Sequence, residues 1–195
     1  MVAVRSAENS VGAMPTEAAP AVGTPTVRVW DPFVRIFHWM LLGLFVAAFV
    51  SAEESETLHV WIGYSIALLL ILRVAWGFVG SRHARFSDFV RSPRATGVYL
   101  VQVLRSKAPR HLGHNPAGGI MVVALLLAVS GIAATGIMMT TDAFWGSEAL
   151  EDIHEALVYG TIGLICLHVA GVILSSIQHR ENLVRAMFTG RKRPL

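Results

Sequence analysis

The sequence is poor in cysteine and in charge. Cys166 is the only cysteine among 195 residues and lies in an apolar run, so the chain has no disulfide framework, no Cys-rich zinc or iron–sulfur site and no C-x-x-C-H haem attachment. Charged residues make up only 15% of the sequence, against about 25% in an ordinary soluble domain. Together with a hydrophobic fraction of 54%, the low charge argues against a soluble enzyme, a disordered chain and a nucleic-acid-binding protein.

The sequence is rich in long apolar stretches. Hydrophobic residues make up 54% of the chain, and the mean hydropathy is +0.56. Four stretches reach or approach the roughly 20 residues that a helix needs to cross a bilayer. They cover residues 33–52, 58–79, 117–140 and 154–177, and the first is the shortest. The sequence therefore predicts an all-α fold, an integral membrane four-helix bundle.

The charges alternate between the segments that connect these stretches. Glutamate and aspartate dominate the first and third connections, whereas the second connection and the tail are rich in arginine. Lys and Arg are retained on the cytoplasmic side of a membrane. The chain is therefore predicted to lie in the inner membrane of a bacterium with both termini in the cytoplasm. The pI of about 9.5 is then explained by basic residues that lie on the cytoplasmic side of the membrane, and it does not indicate a nucleic-acid-binding site.

The rest of the chain divides into shorter segments. Residues 1–28 are interrupted by Pro15, Pro20 and Pro25 and are predicted to be a disordered cytoplasmic tail, not a signal peptide. Residues 29–180 form the predicted membrane domain, and 181–195 a basic cytoplasmic tail. In the second connection, Ser92 and Pro93 precede a short apolar run, which predicts a helix lying on the cytoplasmic membrane face.

Four histidines fall within the predicted spans. His38 lies just inside the first span on the cytoplasmic side, and His59 begins the second span on the outer side. His154 begins the fourth span on the outer side, and His168 lies 14 residues later, about 21 Å deeper and on nearly the same helix face. The depths therefore predict an inner pair, His38 with His168, and an outer pair, His59 with His154.

Two imidazoles that face each other across a bundle are the axial ligands of a b-type haem. The sequence thus predicts two haem irons, one held by His38 and His168 and the other by His59 and His154, stacked along a path across the membrane. Small residues near these histidines would leave room for the porphyrin planes: Gly43, Gly63, Gly160, Gly163 and Gly171. Gly131 and Gly136 are assigned to close helix packing instead.

Simpler explanations exist for each of these residues. A single histidine at a membrane end is usually an interfacial anchor or a satisfied hydrogen-bonding group. Zinc also favours imidazole, but two histidines without a carboxylate or thiolate form an incomplete zinc shell. Arg73 in the second span either extends to the surface or pairs with a haem propionate or a quinone carbonyl. His83, His111 and His114 are candidates for proton exchange near a quinone.

Four sequence motifs carry a resemblance to a known family. They are VWDPFVRIFHW (29–39), LHVWIGY (58–64), RVAWGFVG (73–80) and LHVAGV (167–172). With them the chain resembles the prokaryotic cytochrome b561 family, which includes the cytochrome b subunits of nickel–iron hydrogenases. The resemblance implies a di-haem cytochrome that exchanges electrons with the quinone pool, and the ligand positions of the family match His38, His59, His154 and His168. The chain lacks the fifth span of the larger hydrogenase-type subunits.

Three functions follow as hypotheses. The leading one is electron transfer across the inner membrane as part of a respiratory chain. The electrons would pass between quinone or quinol and a periplasmic redox protein such as a c-type cytochrome. The protein could act as a monomer or as an oligomer. The second is superoxide oxidation coupled to ubiquinone reduction, which the acidic outer connections disfavour because they would repel superoxide. The third is a non-redox membrane anchor or transporter whose histidines bind a metal, and this predicts a colourless protein.

Overall fold

The computed structural model describes residues 25–195, and residues 1–24 of the predicted N-terminal tail lie outside the described residues. Helices dominate this part of the chain, and a pair of two-residue strands joins its two ends. The elements, in chain order, are β1 (Val27–Arg28), α1 (Pro32–Glu54), α2 (Glu56–Val79), a 3-10 turn (Arg82–Ala84), α3 (Phe86–Phe89), α4 (Pro93–Leu104), α5 (Pro116–Met139), α6 (Glu148–Gln178), α7 (Leu183–Thr189) and β2 (Arg191–Lys192).

The four long helices are α1, α2, α5 and α6. All four are long and apolar enough to cross a membrane, which confirms the four spans predicted from the sequence. Side chains at their starts satisfy free backbone N–H groups: Asp31 accepts from Val34, and Asn115 accepts from Gly118, as N-cap residues do. We call the end of the bundle that carries Pro32 and Gln178 the terminal end, and the opposite end the turn end.

One boundary differs from expectation. Helix α6 begins at Glu148, six residues before the predicted start of the fourth span. Glu148 and Glu151 lie in its first turn, where acidic side chains interact favourably with the helix dipole, so the helix continues through residues too polar to belong to a hydrophobic stretch. As a result, His154 lies more than one turn inside α6.

The long helices pack in a row. Helix α1 packs on α2, α2 on α5, and α5 on α6. The apolar core is formed by α1, α2 and α5 around Phe37, Ile66 and Val129, and the described part of α6 contributes no residue to it. Helix α6 is therefore attached through α5, and its other side faces α1 and α2 across a gap.

The terminal end is closed by short segments. β1 pairs with β2 in antiparallel register, and the carbonyl of Gly190, a residue in the left-handed conformation, accepts hydrogen bonds from the Val29 and Trp30 N–H groups at 2.8 and 3.1 Å. Helix α4 exists as predicted after Ser92 and packs on α5. The segment 181–195 thus folds back against the start of α1.

Candidate functional site: two histidine pairs

The four intramembrane histidines face one another in two pairs. The ring centres of His38 on α1 and His168 on α6 are 6.5 Å apart, and those of His59 on α2 and His154 on α6 are 6.2 Å apart. We call these the terminal pair and the turn pair. Each pair joins α6 to a helix against which it packs far less than against α5.

The spacing within each pair fits one metal ion between two imidazoles. When each ring nitrogen lies about 2 Å from a shared metal, the ring centres are held about 6 Å apart. Within residues 25–195, no cluster of three or more His, Cys, Asp or Glu side chains could hold a metal. Two imidazoles are also the protein ligands that a b-type haem takes, since its porphyrin supplies the other iron ligands.

Open space lies beside the glycines that were expected to make room for porphyrin. A Cβ atom at any of five positions would meet nothing within 4 Å, namely Gly43, Gly63, Gly160, Gly163 and Gly171. By contrast, a Cβ at Gly131 would lie 3.3 Å from Leu157, and one at Gly136 would lie 3.3 Å from His154. The second group is therefore in close packing, while the first lines unfilled space.

Hydrogen bonds orient both rings of the turn pair. His59 Nδ1 lies 2.9 Å from the Ala48 carbonyl oxygen, and His154 Nδ1 lies 2.8 Å from the Thr135 hydroxyl oxygen. A carbonyl can only accept, so the proton of neutral His59 is on Nδ1 and its Nε2 lone pair is free to bind a metal. Neither partner was predicted from the sequence.

The terminal pair is held differently. His38 Nδ1 is buried and has no hydrogen-bond partner among the described residues, and the same is true of the neighbouring Trp39 Nε1. The Trp39 ring meets the His38 ring edge-on, with centres 4.9 Å apart, and stacks on Phe188 at 4.2 Å. Aromatic contacts rather than hydrogen bonds therefore surround His38.

Arg73 is buried instead of extending to the surface, since only 2% of the residue is exposed. Its guanidinium lies 5.3 Å from the Phe86 ring centre and 5.9 Å from that of Phe37. Nη2 donates to the Ala84 carbonyl at 3.3 Å, but Nη1 has no hydrogen-bond partner within residues 25–195. An uncompensated buried cation is costly, so this residue is suited to bind an anionic or carbonyl oxygen of a ligand.

His114 lies outside the spans, and its environment was not foreseen. Its ring contacts Trp30 and Phe89, with ring centres 4.6 and 4.9 Å away. Burial, and then the positive charges of Arg73 and Lys192, lower the pKa of His114 to about 3. The ring therefore stays neutral at neutral pH, which does not suit the proton exchange considered for it from the sequence.

The chain is similar in sequence to known b-type cytochromes. Residues 29–190 match the family model described as Prokaryotic cytochrome b561. A protein of Bradyrhizobium diazoefficiens named Probable Ni/Fe-hydrogenase B-type cytochrome subunit is 22% identical, with 88% of each chain covered. A protein of the same name from Rhizobium leguminosarum bv. viciae is 23% identical over 88% of this chain and 91% of the relative. No solved structure matches the chain significantly.

Proposed function

Because this chain belongs to the prokaryotic cytochrome b561 family and is a transmembrane, haem-carrying cytochrome b of electron transport, we propose that it binds two haem b groups and carries electrons across the inner membrane between quinone and a periplasmic redox protein. The observation that carries this proposal is the pairing of four histidines at two depths. The two histidines on α6 are 14 residues apart, which separates the pairs by about 21 Å along the helix.

The residues of the chain hold and orient the cofactors. Bound haem supplies one-electron redox chemistry. The four histidines would hold the irons of two haem groups, and Ala48 and Thr135 orient the rings of the turn pair. Arg73 neutralises a propionate or binds a quinone carbonyl near the terminal pair. The apolar helices keep bulk water out of the space between α6 and its neighbours.

An open groove beside Trp39 supports a quinone site near the terminal pair. It has a volume of about 330 Å³ and is lined by Pro32, Arg35, Ile36, Trp39, Met40 and Phe188. Trp39 Nε1 is buried and unpaired in the described part of the chain, and we assign it as a donor to the carbonyl of a quinone that displaces the side chains covering it. Since the Trp39 ring contacts the His38 ring, a quinone bound here would lie next to the nearer haem.

The charge distribution supports an orientation with the terminal end in the cytoplasm. The turn end carries exposed carboxylates of Glu53, Glu54 and Glu56 from α1 and α2 and of Glu151 and Asp152 from α6. Such a surface attracts a basic redox protein, such as a c-type cytochrome, and repels superoxide. The relatives are named as hydrogenase subunits, so a hydrogenase is the alternative redox partner.

Absorption spectroscopy of the purified protein, oxidised and then reduced with dithionite, tests the proposal. We expect two haem b per chain by pyridine haemochrome quantification. His38→Ala or His168→Ala removes one haem and His59→Ala or His154→Ala removes the other, whereas His111→Ala, outside both pairs, keeps both. A colourless protein from haem-replete cells would overturn the proposal and favour the metal-binding anchor or transporter.

A further inference from the structure

Thr135 places a buried hydroxyl in the largely apolar second half of α5, and the residue is 9% exposed. Its oxygen lies 2.9 Å from the Gly131 carbonyl and 3.0 Å from the Ile132 carbonyl. Two carbonyl acceptors of α5 lie within reach of the single hydroxyl proton, and we assign the proton to this bond with the helix's own backbone. The free lone pairs of the Thr135 oxygen are then available to His154, 2.8 Å away.

This arrangement determines where the proton of His154 lies. With the hydroxyl proton already donated, Thr135 can only accept, so His154 Nδ1 carries a hydrogen and donates it. In the neutral ring, Nε2 is then the unprotonated nitrogen. Gly136, on the next position of α5, lets the His154 ring approach closely, since a Cβ there would lie 3.3 Å from Cε1. Helix α5 thus fixes both the tautomer and the position of the ring.

We infer that Thr135 is a positioning residue for the haem of the turn pair: it fixes the tautomer of His154 and strengthens Nε2 as an iron ligand. The inference rests on the proposed function, because it requires haem at this pair. An acceptor that takes the N–H of a ligating histidine raises the basicity of the other ring nitrogen, and loss of such a partner costs about 10- to 100-fold in metal affinity.

The effect is confined to one of the two sites. His38 Nδ1 in the terminal pair has no hydrogen-bond partner among the described residues. The Thr135 hydroxyl contacts Gly131, Ile132 and His154, all of them on the side of the turn pair. A change at Thr135 should therefore separate the two haems in any measurement that resolves them.

The chain offers a matched control in Thr161 on α6. This residue is fully buried, at 0% exposed, and its hydroxyl donates to the Leu157 carbonyl four residues earlier at 2.8 Å, as Thr135 donates to Gly131. Its hydroxyl bonds to the backbone of its own helix and not to one of the paired histidines. Thr161→Val therefore removes a buried hydroxyl with the same kind of backbone bond and keeps the hydrogen bonds of His59 and His154 in place.

The experiment measures haem transfer from the detergent-solubilised holoprotein to excess apomyoglobin, together with a redox titration. We expect Thr135→Val to speed the loss of one haem about tenfold or more and to raise the reduction potential of that haem, because a less basic ligand stabilises the oxidised iron less. Thr135→Ser, which keeps the acceptor, should match the wild type, and Thr161→Val should leave both haems unchanged.

The outcomes separate this inference from the proposed function. If the wild type holds two haems and Thr135→Val behaves like Thr161→Val, the positioning role is wrong and the cytochrome proposal stands. If the wild type holds no haem, the proposed function fails first. If Thr135→Val does not fold, Thr135→Cys replaces it, because a cysteine sulfur is a weaker acceptor than a hydroxyl. Thr135→Cys should lose haem faster than Thr135→Ser and more slowly than His154→Ala. A loss rate equal to that of the wild type would overturn the inference.

Discussion

Arg73 and His38 lie at the same depth on neighbouring antiparallel helices. His38 is 17 residues before Ser55, the residue that separates α1 from α2, and Arg73 is 18 residues after it. The guanidinium contacts the ring of Phe37, which precedes His38 in the chain. Asp31 is the carboxylate that interacts electrostatically with Arg73. Its oxygens, however, already accept hydrogen bonds from Val34, Trp76 and Ser81. A buried cation that no carboxylate contacts directly within residues 25–195 therefore lies beside the terminal pair.

Replacing Arg73 by Met should have opposite effects on the haem-free and haem-loaded protein. Without ligand, the variant removes an uncompensated buried charge, so the thermal midpoint of the haem-free protein should rise. In the haem-loaded protein, the variant leaves a haem propionate without its cationic partner, which costs about 3–5 kcal/mol. The haem of the terminal pair should therefore be lost. Thermal melts of both forms and haem quantification make the comparison.

Arg73→Lys is the control for this prediction because it keeps the positive charge and loses only the planar guanidinium. It should retain more haem than Arg73→Met. If Arg73→Met retains two haems and melts at a lower temperature in both forms, Arg73 acts only through packing against Phe37 and Phe86.

Two glycines should separate the haem sites by steric blockage. Gly63 lies one helical turn after His59, and Gly171 lies about one turn after His168, so each shares a face with its histidine. Both border open space. We expect Gly63→Leu to abolish only the haem of the turn pair and Gly171→Leu only that of the terminal pair, as resolved by redox titration.

The haem-free forms of both leucine variants should keep the helical far-ultraviolet circular dichroism of the wild type, since the added side chains point into open space. Gly131→Leu is the contrasting variant, because a Cβ at that position would already lie 3.3 Å from the Leu157 side chain, and it should destabilise the protein with or without haem. Two haems in Gly63→Leu would show that the space beside Gly63 is not used.

The ion pair between Glu181 and Arg110 should make the terminal end acid-sensitive. Burial alone would raise the pKa of the Glu181 carboxyl, but hydrogen bonding from Arg110 and the charges of Lys192 and Arg110 hold this pKa below its usual value of 4.5. Because the folded-state pKa is lowered, the stabilisation is present above 4.5 and is lost as the pH falls through the folded value.

Hydrogen exchange of the amides in residues 191–195 measures this effect. Protection in the wild type should fall as the pH decreases below 4.5, after correction for the intrinsic exchange rate. Glu181→Gln should show weak protection already at neutral pH and no acid transition, while the exposed Glu148→Gln should behave as the wild type. An unchanged acid transition in Glu181→Gln would assign it to another carboxyl.

The pairing of the histidines could be predicted because it depends on distances along single helices. Depth follows from residue count, and the 14-residue spacing on α6 places His154 and His168 on one face. The four spans could be predicted for the same reason. Arg73 had two equal interpretations, since the sequence does not say whether a neighbouring loop will cover a side chain near a helix end.

The hydrogen-bond partners of the turn pair depend on which helix packs against which. Thr135 reaches His154 only because α5 packs on α6, and Ala48 reaches His59 by a backbone atom that carries no sequence signal. The available clue was a hydroxyl side chain in the interior of the third span, where Thr135 and Ser130 are the polar residues between Gly119 and Met139. The burial of His114 could not be predicted either. Its ring lies between Trp30 and Phe89 because of how a loop is placed, and the position of a loop leaves no periodic pattern in the sequence.

The row-like packing of the helices has a consequence for biogenesis. Helix α6 contributes no residue to the apolar core of α1, α2 and α5, and its two paired histidines face α1 and α2. If the proposed haems bind there, they would fill the space between α6 and these two helices. The four helices could then insert into the bilayer before haem arrives, and haem binding would complete the packing of the bundle. Haem supply would in that case limit maturation, because haem-free chains would leave this space accessible to membrane proteases.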